Sequence, residues 1–284
     1  MDRHPWLRGQ TDPALSQSCL TDDYLRASAS VDLVASVHIE ANWDPADPLG
    51  EIDWLSALPR PDGIAMRHVA YADLGRRDVA SDLEAMAARD IVVGIRDIVS
   101  WHPDPARSAV TDKHRMADRD WRAGLARLEA LDLSFDLSMS PWQIDDALAL
   151  IRDFPGIRFA VNHCGAPFDR SPEGMAAWAR GLHRLAEAPN VVLKISDLVA
   201  YDPDWTPQSL NRVSRACLDA FGPARCMLGS DHPVVELHAT FEQAYEHFRQ
   251  CFADLSGPEQ YALFAGNAAD FYRLPRPPNP QAAS

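Results

Sequence analysis

The chain has 284 residues, a length that one large α/β domain can fill, and its 46% apolar content supplies a sizeable core. Lys and Arg number 27 against 41 Asp and Glu, a net charge of −14, which argues against a nucleic-acid or anionic-membrane partner. No apolar run approaches the roughly 18 residues of a membrane span, and Met1-Asp2-Arg3-His4-Pro5 has no signal-peptide core, so a cytoplasmic location is expected.

Taken in order, residues 1–30 are irregular apart from a short helix expected at Thr21–Ser28. The first strand is expected at Leu33–Glu40, followed by a Pro- and Asp-rich loop and a short helix at Glu51–Leu58. Ile64–Tyr71 is the second strand, Val79–Arg89 a helix, and Ile91–Ile98 the third strand. The long loop Val99–Asp118 carries Trp101 and His102, and a helix at Asp120–Leu131 follows. From there the alternation is regular. Strands at Leu133–Ser138, Arg158–His163, Val191–Ser196 and Cys226–Leu228 each lead into a helix, at Gln143–Phe154, Glu173–Ala186, Pro207–Phe221 and Ala239–Phe252. A last helix covers Pro258–Tyr272, and the Pro- and Ala-rich tail 275–284 is expected to be disordered.

Seven strands alternating with helices, with no Gly/Ser linker between them, imply one domain over residues 1–274 built on a parallel sheet. No G-x-G-x-x-G or G-x-x-x-x-G-K-[ST] loop follows any strand, which weakens a doubly wound nucleotide-binding fold. Polar residues at the ends of many strands favour a (β/α)8 TIM barrel, whose active site draws on all its strands. One strand of the eight is then unaccounted for.

Side chains two apart on a strand share a face. Ser36, His38 and Glu40 form one such set, Gly94 and Arg96 another, and Ser134, Asp136 and Ser138 a third. Phe159, Val161 and His163 are a fourth, Val192, Lys194 and Ser196 a fifth, and Met227, Gly229 and Asp231 a sixth. Six strands ending in ionisable groups are hard to assign to packing, because unpaired buried charge is expensive. Singly, each has a plainer reading. Arg96 either grips a substrate carboxylate or pairs with Asp136 or Glu40. Lys194 has the same two roles open, His38 and Glu40 can be structural, and Trp101 either lines the pocket or sits in a solvated loop. The five cysteines are scattered without a CxxC pair, so they form neither a disulfide framework nor a thiolate site, and Cys164 reads as a core residue.

The sharpest signal is Cys226-Met227-Leu228-Gly229-Ser230-Asp231-His232-Pro233, a buried strand that stops abruptly with a carboxylate at its tip. Asp231 is either a turn residue or a catalytic group that deprotonates water or ligates a metal. His163 would stabilise charge on a carbonyl oxygen or supply the metal's nitrogen ligand. No G-x-S-x-G elbow is present, which argues against a serine nucleophile.

These segments together resemble the amidohydrolase-2 family of metal-dependent hydrolase barrels. The resemblance rests on Ser36-Val37-His38-Ile39-Glu40-Ala41 with Glu51-Ile52-Asp53-Trp54-Leu55, on Val93-Gly94-Ile95-Arg96, and on Asn162-His163-Cys164-Gly165-Ala166-Pro167. Leu193-Lys194-Ile195-Ser196, Leu228-Gly229-Ser230-Asp231-His232-Pro233 and Gly266-Asn267-Ala268 complete it, from about Asp32 to Leu274. The branch it is most similar to is that of sugar lactonases and pyrone dicarboxylate lactonase. The resemblance implies a distorted (β/α)8 barrel opening a lactone of a sugar acid or small carboxylate. Asp231 and His163 would be catalytic, and Arg96, His38, Asp136, Lys194 and Trp101 would bind substrate. His163 and Asp231 would hold one divalent ion, zinc, in the metal-bound version, while lactonases of this branch also work without metal. A zinc-dependent decarboxylase or hydratase is the alternative chemistry.

The departure is the His-x-His pair that opens the family's first strand. It occurs nowhere in this sequence, where His4 stands alone. The expectation is therefore a barrel without its first strand, through a late start or through degeneracy to a non-catalytic relative. Its edges would be open unless residues 1–20 or a partner chain cover them. With two ligands fewer than usual, poor metal affinity is expected. The expected partner is a small-molecule substrate, with self-association as a homo-oligomer left open.

Overall fold

The computed structural model describes residues 12–276, within which all seven expected strands are present. They are β1 (Val37–Ile39), β2 (Arg67–Tyr71), β3 (Val92–Arg96), β4 (Ser134–Leu137), β5 (Phe159–Val161), β6 (Val191–Ile195) and β7 (Cys226–Leu228). Every pairing is parallel and the spatial order follows the chain order, β1 to β7. The sheet curls into an open barrel in which, among the described residues, nothing pairs β7 back onto β1. The reading of a barrel short of one strand is thus what is observed. The tail 277–284 and residues 1–11 lie outside the described residues.

The sheet has two apolar faces. Outward, Ile95, Phe135, Phe159, Val161, Leu193, Ile195 and Cys226 meet Leu83, Trp121, Leu150, Leu182, Val213 and Phe248 from the surrounding helices. Inward, Val69, Val93, Ala160 and Met227 form a smaller cluster with Phe271 and Tyr272. The helices begin where sequence chemistry says they should. Ser171 caps Pro172–Ala186 by accepting from the Gly174 amide, and Thr206 and Ser209 form a capping box on Pro207–Phe221. Gly222 ends the latter with φ 72°, a conformation that a side chain disfavours.

Both open edges are covered, in part by the described end of the expected 1–20 segment, where Cys19 Sγ lies 3.7 Å from His232 Nδ1 beyond β7. The last helical stretch, Gly257–Tyr261, Ala262–Gly266 and Asn267–Tyr272, lies along β7. Its Asn267 amide donates to Pro223 O at 2.7 Å and to Cys226 O at 2.6 Å, satisfying one carbonyl of edge strand β7 and one of the turn before it. Across the opening, the helix Thr21–Ala27 bridges the two edges through Tyr24. The Tyr24 ring is 5.6 Å from that of His232 and 5.8 Å from that of Phe241, both beyond β7. Its hydroxyl is near Ser36, just ahead of β1. Leu25 packs with Leu33 and Leu55 on the β1 side.

Replacing Asn267 with Ala is expected to lower stability by about 1–3 kcal/mol, because these two carbonyls lose their donor. Denaturant unfolding of the variant beside the parent measures it.

Candidate active site

The polar layer sits above the inner apolar cluster, at the carboxyl ends of β3 to β7. Its base is Asp136 on β4, which is 0% exposed. Lys194 on β6 pairs with it, the Asn162 amide donates to it at 2.9 Å, and the Tyr272 hydroxyl lies 3.0 and 3.1 Å from its two oxygens. The Lys194 ammonium also stands over the Tyr272 ring, 5.2 Å from the centroid. Burial lowers the Lys194 pKa, against the opposing pull of Asp136. Asp136, expected to contact substrate, is thus an internal anchor, because its oxygens are enclosed and already taken. Lys194 is the cation it holds in place.

Arg96 on β3 takes the paired reading. Its Nε donates to Glu40 Oε1 at 2.6 Å and its Nη2 to the Glu40 carbonyl at 2.7 Å. Gly94 permits the close approach of β3 to β4 that sets this level, since a side chain there would meet the Ser134 carbonyl. Arg96 still feels the charges of Asp136 and Asp231, so it belongs to the same electrostatic neighbourhood.

Above this layer three residues converge: His163 after β5, Asp197 after β6 and Asp231 after β7. Their donor atoms lie within 4.8 Å of one another. His163 Nε2 is 3.9 Å from Asp231 Oδ1, and its Nδ1 is 3.0 Å from Ser196 Oγ. Burial, with the cations Arg96 and Lys194, holds the His163 pKa below its ordinary value despite Asp231, so the imidazole is neutral at pH 7. Asp197 is pushed the other way. Burial, the charge of Asp231 and a hydrogen bond between the two carboxyls raise its pKa well above the usual carboxylate range.

All three stand in the left-handed region, with φ of 50°, 55° and 56° for His163, Asp197 and Asp231. Such conformations cost on the order of 1–3 kcal/mol each and gather at functional sites. They also explain why Asp197 is missed by strand alternation. Counting by twos from Lys194 puts Ser196 inside and Asp197 outside, and only the left-handed backbone returns Asp197 to the mouth. The available signal was its place just past the end of a buried strand.

The same reasoning corrects two of the alternation sets. Phe159 and Val161 belong to the helix-facing core, so His163 reaches the interior by its turn and not by parity. On β1, Val37 and Ile39 face the inner cluster, so His38 points to the helix side. There its Nε2 is 2.9 Å from Glu51 Oε1 and its ring 5.0 Å from that of His68. His38 is therefore separate from the His163 cluster by a full sheet thickness. Trp101 stands further out in a run of rings. It lies 6.5 Å from Trp142, which stacks at 6.1 Å on Phe168, which meets Tyr201 at 4.9 Å. Tyr201 borders the carboxyl pair, whose charge together with burial raises its pKa. Cys164 is a buried core residue, and the carbonyl above it accepts from Trp178 Nε1 at 2.7 Å.

An open parallel barrel with histidine and carboxylates at the carboxyl ends of its strands defines the class: a barrel enzyme with a mouth-facing acid–base or metal centre. The family model described as Amidohydrolase matches residues 20–274, and the chain belongs to that family of hydrolases. It is 32% identical over 278 residues to the Uncharacterized protein y4mH of Sinorhizobium fredii, covering 95% of this chain and 93% of that one. It is 31% identical over 232 residues to an L-fucono-1,5-lactonase of Burkholderia ambifaria, covering 76% and 73%. Among solved structures it resembles an amidohydrolase of Burkholderia multivorans with bound HEPES, at TM-score 0.81, 26% identity and coverage of 96% and 95%. A second crystal form of that amidohydrolase, with bound zinc, has the same TM-score, 0.81.

Truncating Asp136 alone to Ala is expected to cost about 3–5 kcal/mol, since Lys194 would be buried without a partner. The pair Asp136→Leu with Lys194→Met should recover much of that loss in thermal unfolding. Asp197→Asn should leave stability unchanged below pH ~3, where the carboxyl is protonated in both states. As the pH rises, the parent alone carries the penalty of ionising a raised carboxyl, so the variant becomes the more stable protein. Unfolding curves across pH 4–8 in chelator, on the order of that window, check the sign.

Proposed function

We propose that this amidohydrolase is a lactonase, which opens the cyclic ester of a sugar acid by attack of water. The observation that carries the reading is the strained cluster of His163, Asp197 and Asp231, next to the cationic pair Arg96 and Lys194. Asp231 accepts the proton of the attacking water, and that proton then goes to the ring oxygen as the ester bond breaks. The products are one carboxyl and one hydroxyl, so water is consumed and no other reactant is needed. His163, neutral and fixed through Ser196, is the group available to hydrogen-bond the carbonyl oxygen as it gains negative charge. Arg96 and Lys194 supply fixed positive potential for that charge and for the carboxylate product. The aromatic run from Tyr201 to Trp101 is a suitable wall for a sugar ring, with Trp101 at its outer end.

The donor set also fits a divalent metal. One neutral imidazole and two carboxylates converge, and Asp197 Oδ1 is buried without a hydrogen-bond partner. Asp197 supplies the third ligand that a count of one histidine and one aspartate lacks. His163, Asp197 and Asp231 would hold the ion. When bound, it would supply Lewis acidity at the lactone carbonyl and acidify the attacking water. The similarity to an L-fucono-1,5-lactonase favours six-membered sugar-acid lactones as the first substrates to try.

Asp231→Asn is expected to lower kcat on the hydrolysed lactone by about 10²–10⁴, the usual worth of a positioned general base, with KM little changed. Proton release from a panel of sugar-acid 1,5-lactones, read with a pH indicator, measures it. Full activity in Asp231→Asn, or no turnover of any lactone by the parent, overturns the reading.

A further inference from the structure

A second cluster lies on the opposite side of the sheet from the candidate active site. His38 on edge strand β1, His68 on β2 and Glu51 on the helix Gly50–Ala57 bring two imidazoles and a carboxylate together, with donor atoms within 4.8 Å of one another. His68 is 0% exposed, and neither of its ring nitrogens has a hydrogen-bond partner. Buried polar groups are almost always bonded, so an imidazole in this state requires an ion or a water. Its Nε2 points toward Glu51 Oε2 from 3.9 Å, beyond hydrogen-bond reach. Both ring nitrogens are thus without a partner in the interior, and one lone pair is available to a cation.

Glu51 is the complementary half. Its Oε1 is held by His38 Nε2 and by the Ala41 amide, each at 2.9 Å, and its side chain is 4% exposed. Those contacts keep the carboxylate ionised against burial, and the groups recorded around it are imidazoles and one amide, not a lysine or an arginine. A tetrahedral ion about 2.0–2.1 Å from each ligand places the ligand atoms about 3.3 Å apart. His38 Nε2 stands 2.9 Å from Glu51 Oε1 and His68 Nε2 3.9 Å from Oε2, so the two imidazoles flank the two oxygens of one carboxylate on that scale.

We propose that His38, Glu51 and His68 form a structural site for a divalent transition ion, zinc foremost, distinct from the His163 cluster. Two imidazoles and one carboxylate are a ligand set that zinc takes readily. The ion would neutralise a buried carboxylate and clip the helix Gly50–Ala57 onto β1, an edge strand of the sheet among the described residues. It would thus act on stability at the open edge, not on chemistry at the mouth.

The test uses the full chain, stripped with chelator and then loaded with zinc chloride. Zinc-edge anomalous scattering should place an ion between His38, Glu51 and His68, and metal analysis should count it. A His163→Asn/Asp231→Asn background disables the other cluster, so the remaining equivalent reports this one alone. Glu51→Gln keeps the acceptor for Ala41 but removes the charge. Since even outer-shell partners are worth about 10–100-fold in metal affinity, loss of this direct ligand should exceed about 100-fold. Zinc should raise Tm in the background protein and leave it unmoved after Glu51→Gln. His68→Asn should behave like Glu51→Gln. No anomalous peak at saturating zinc, or an equivalent retained after Glu51→Gln, overturns the proposal.

Discussion

A carboxylate sealed inside a barrel must be neutralised where it stands, and Asp136 imposes that constraint on everything around it. Lys194 from β6, Asn162 from the end of β5 and Tyr272 from the last helix all meet it. Three separate parts of the chain are thereby locked at one level of the interior. Since breaking a buried pair leaves an uncompensated charge, this level is stiff. The apolar cluster of Val69, Val93, Ala160 and Met227 lies on one side of it and the mouth on the other. The mouth residues can be strained because the layer beneath them does not yield.

That strain is where the chain departs from a well-packed barrel. His163, Asp197 and Asp231 each adopt left-handed backbone, and burial with the charge of Asp231 raises the Asp197 carboxyl's pKa in a partly buried mouth. None of this stabilises the fold. It is what a site that must receive a water, a carbonyl oxygen or a cation requires, held ready before the ligand arrives. The opening between β1 and β7 adjoins this site, and Tyr24 closes it with one ring set between His232 and Ser36. A helix does there what a strand does elsewhere in the barrel, through side-chain packing in place of a hydrogen-bonded ladder.

The strands and most helices were legible in the amino-acid order, because alternation of short apolar runs with amphipathic segments has a single consistent fold class. Asp231 and His163 were legible for the same reason: each follows a buried strand that a Gly or Pro soon stops. Arg96, Lys194 and Asp136 stand near one level in the structure, where Lys194 pairs with Asp136 and Arg96 feels the charge of Asp136. Whether Arg96 served a ligand or Glu40 was open, because the partner is 56 residues away in sequence and proximity across a barrel is not encoded locally.

Composition, periodicity and the residues at strand ends pointed by themselves to the parallel barrel, to the seven strands found among the described residues and to the aspartate after β7. Only the tertiary structure decided which way the ends turn. Left-handed backbone at residues 163 and 197 carries side chains to the face that parity denies them, and it depends on loop packing that no local pattern specifies. Tertiary structure likewise put His38 across the sheet with Glu51 and His68, since those three come from separate elements that meet only when β1, β2 and the intervening helix are layered. Asp231 was read from the sequence; its partner Asp197 had to be seen.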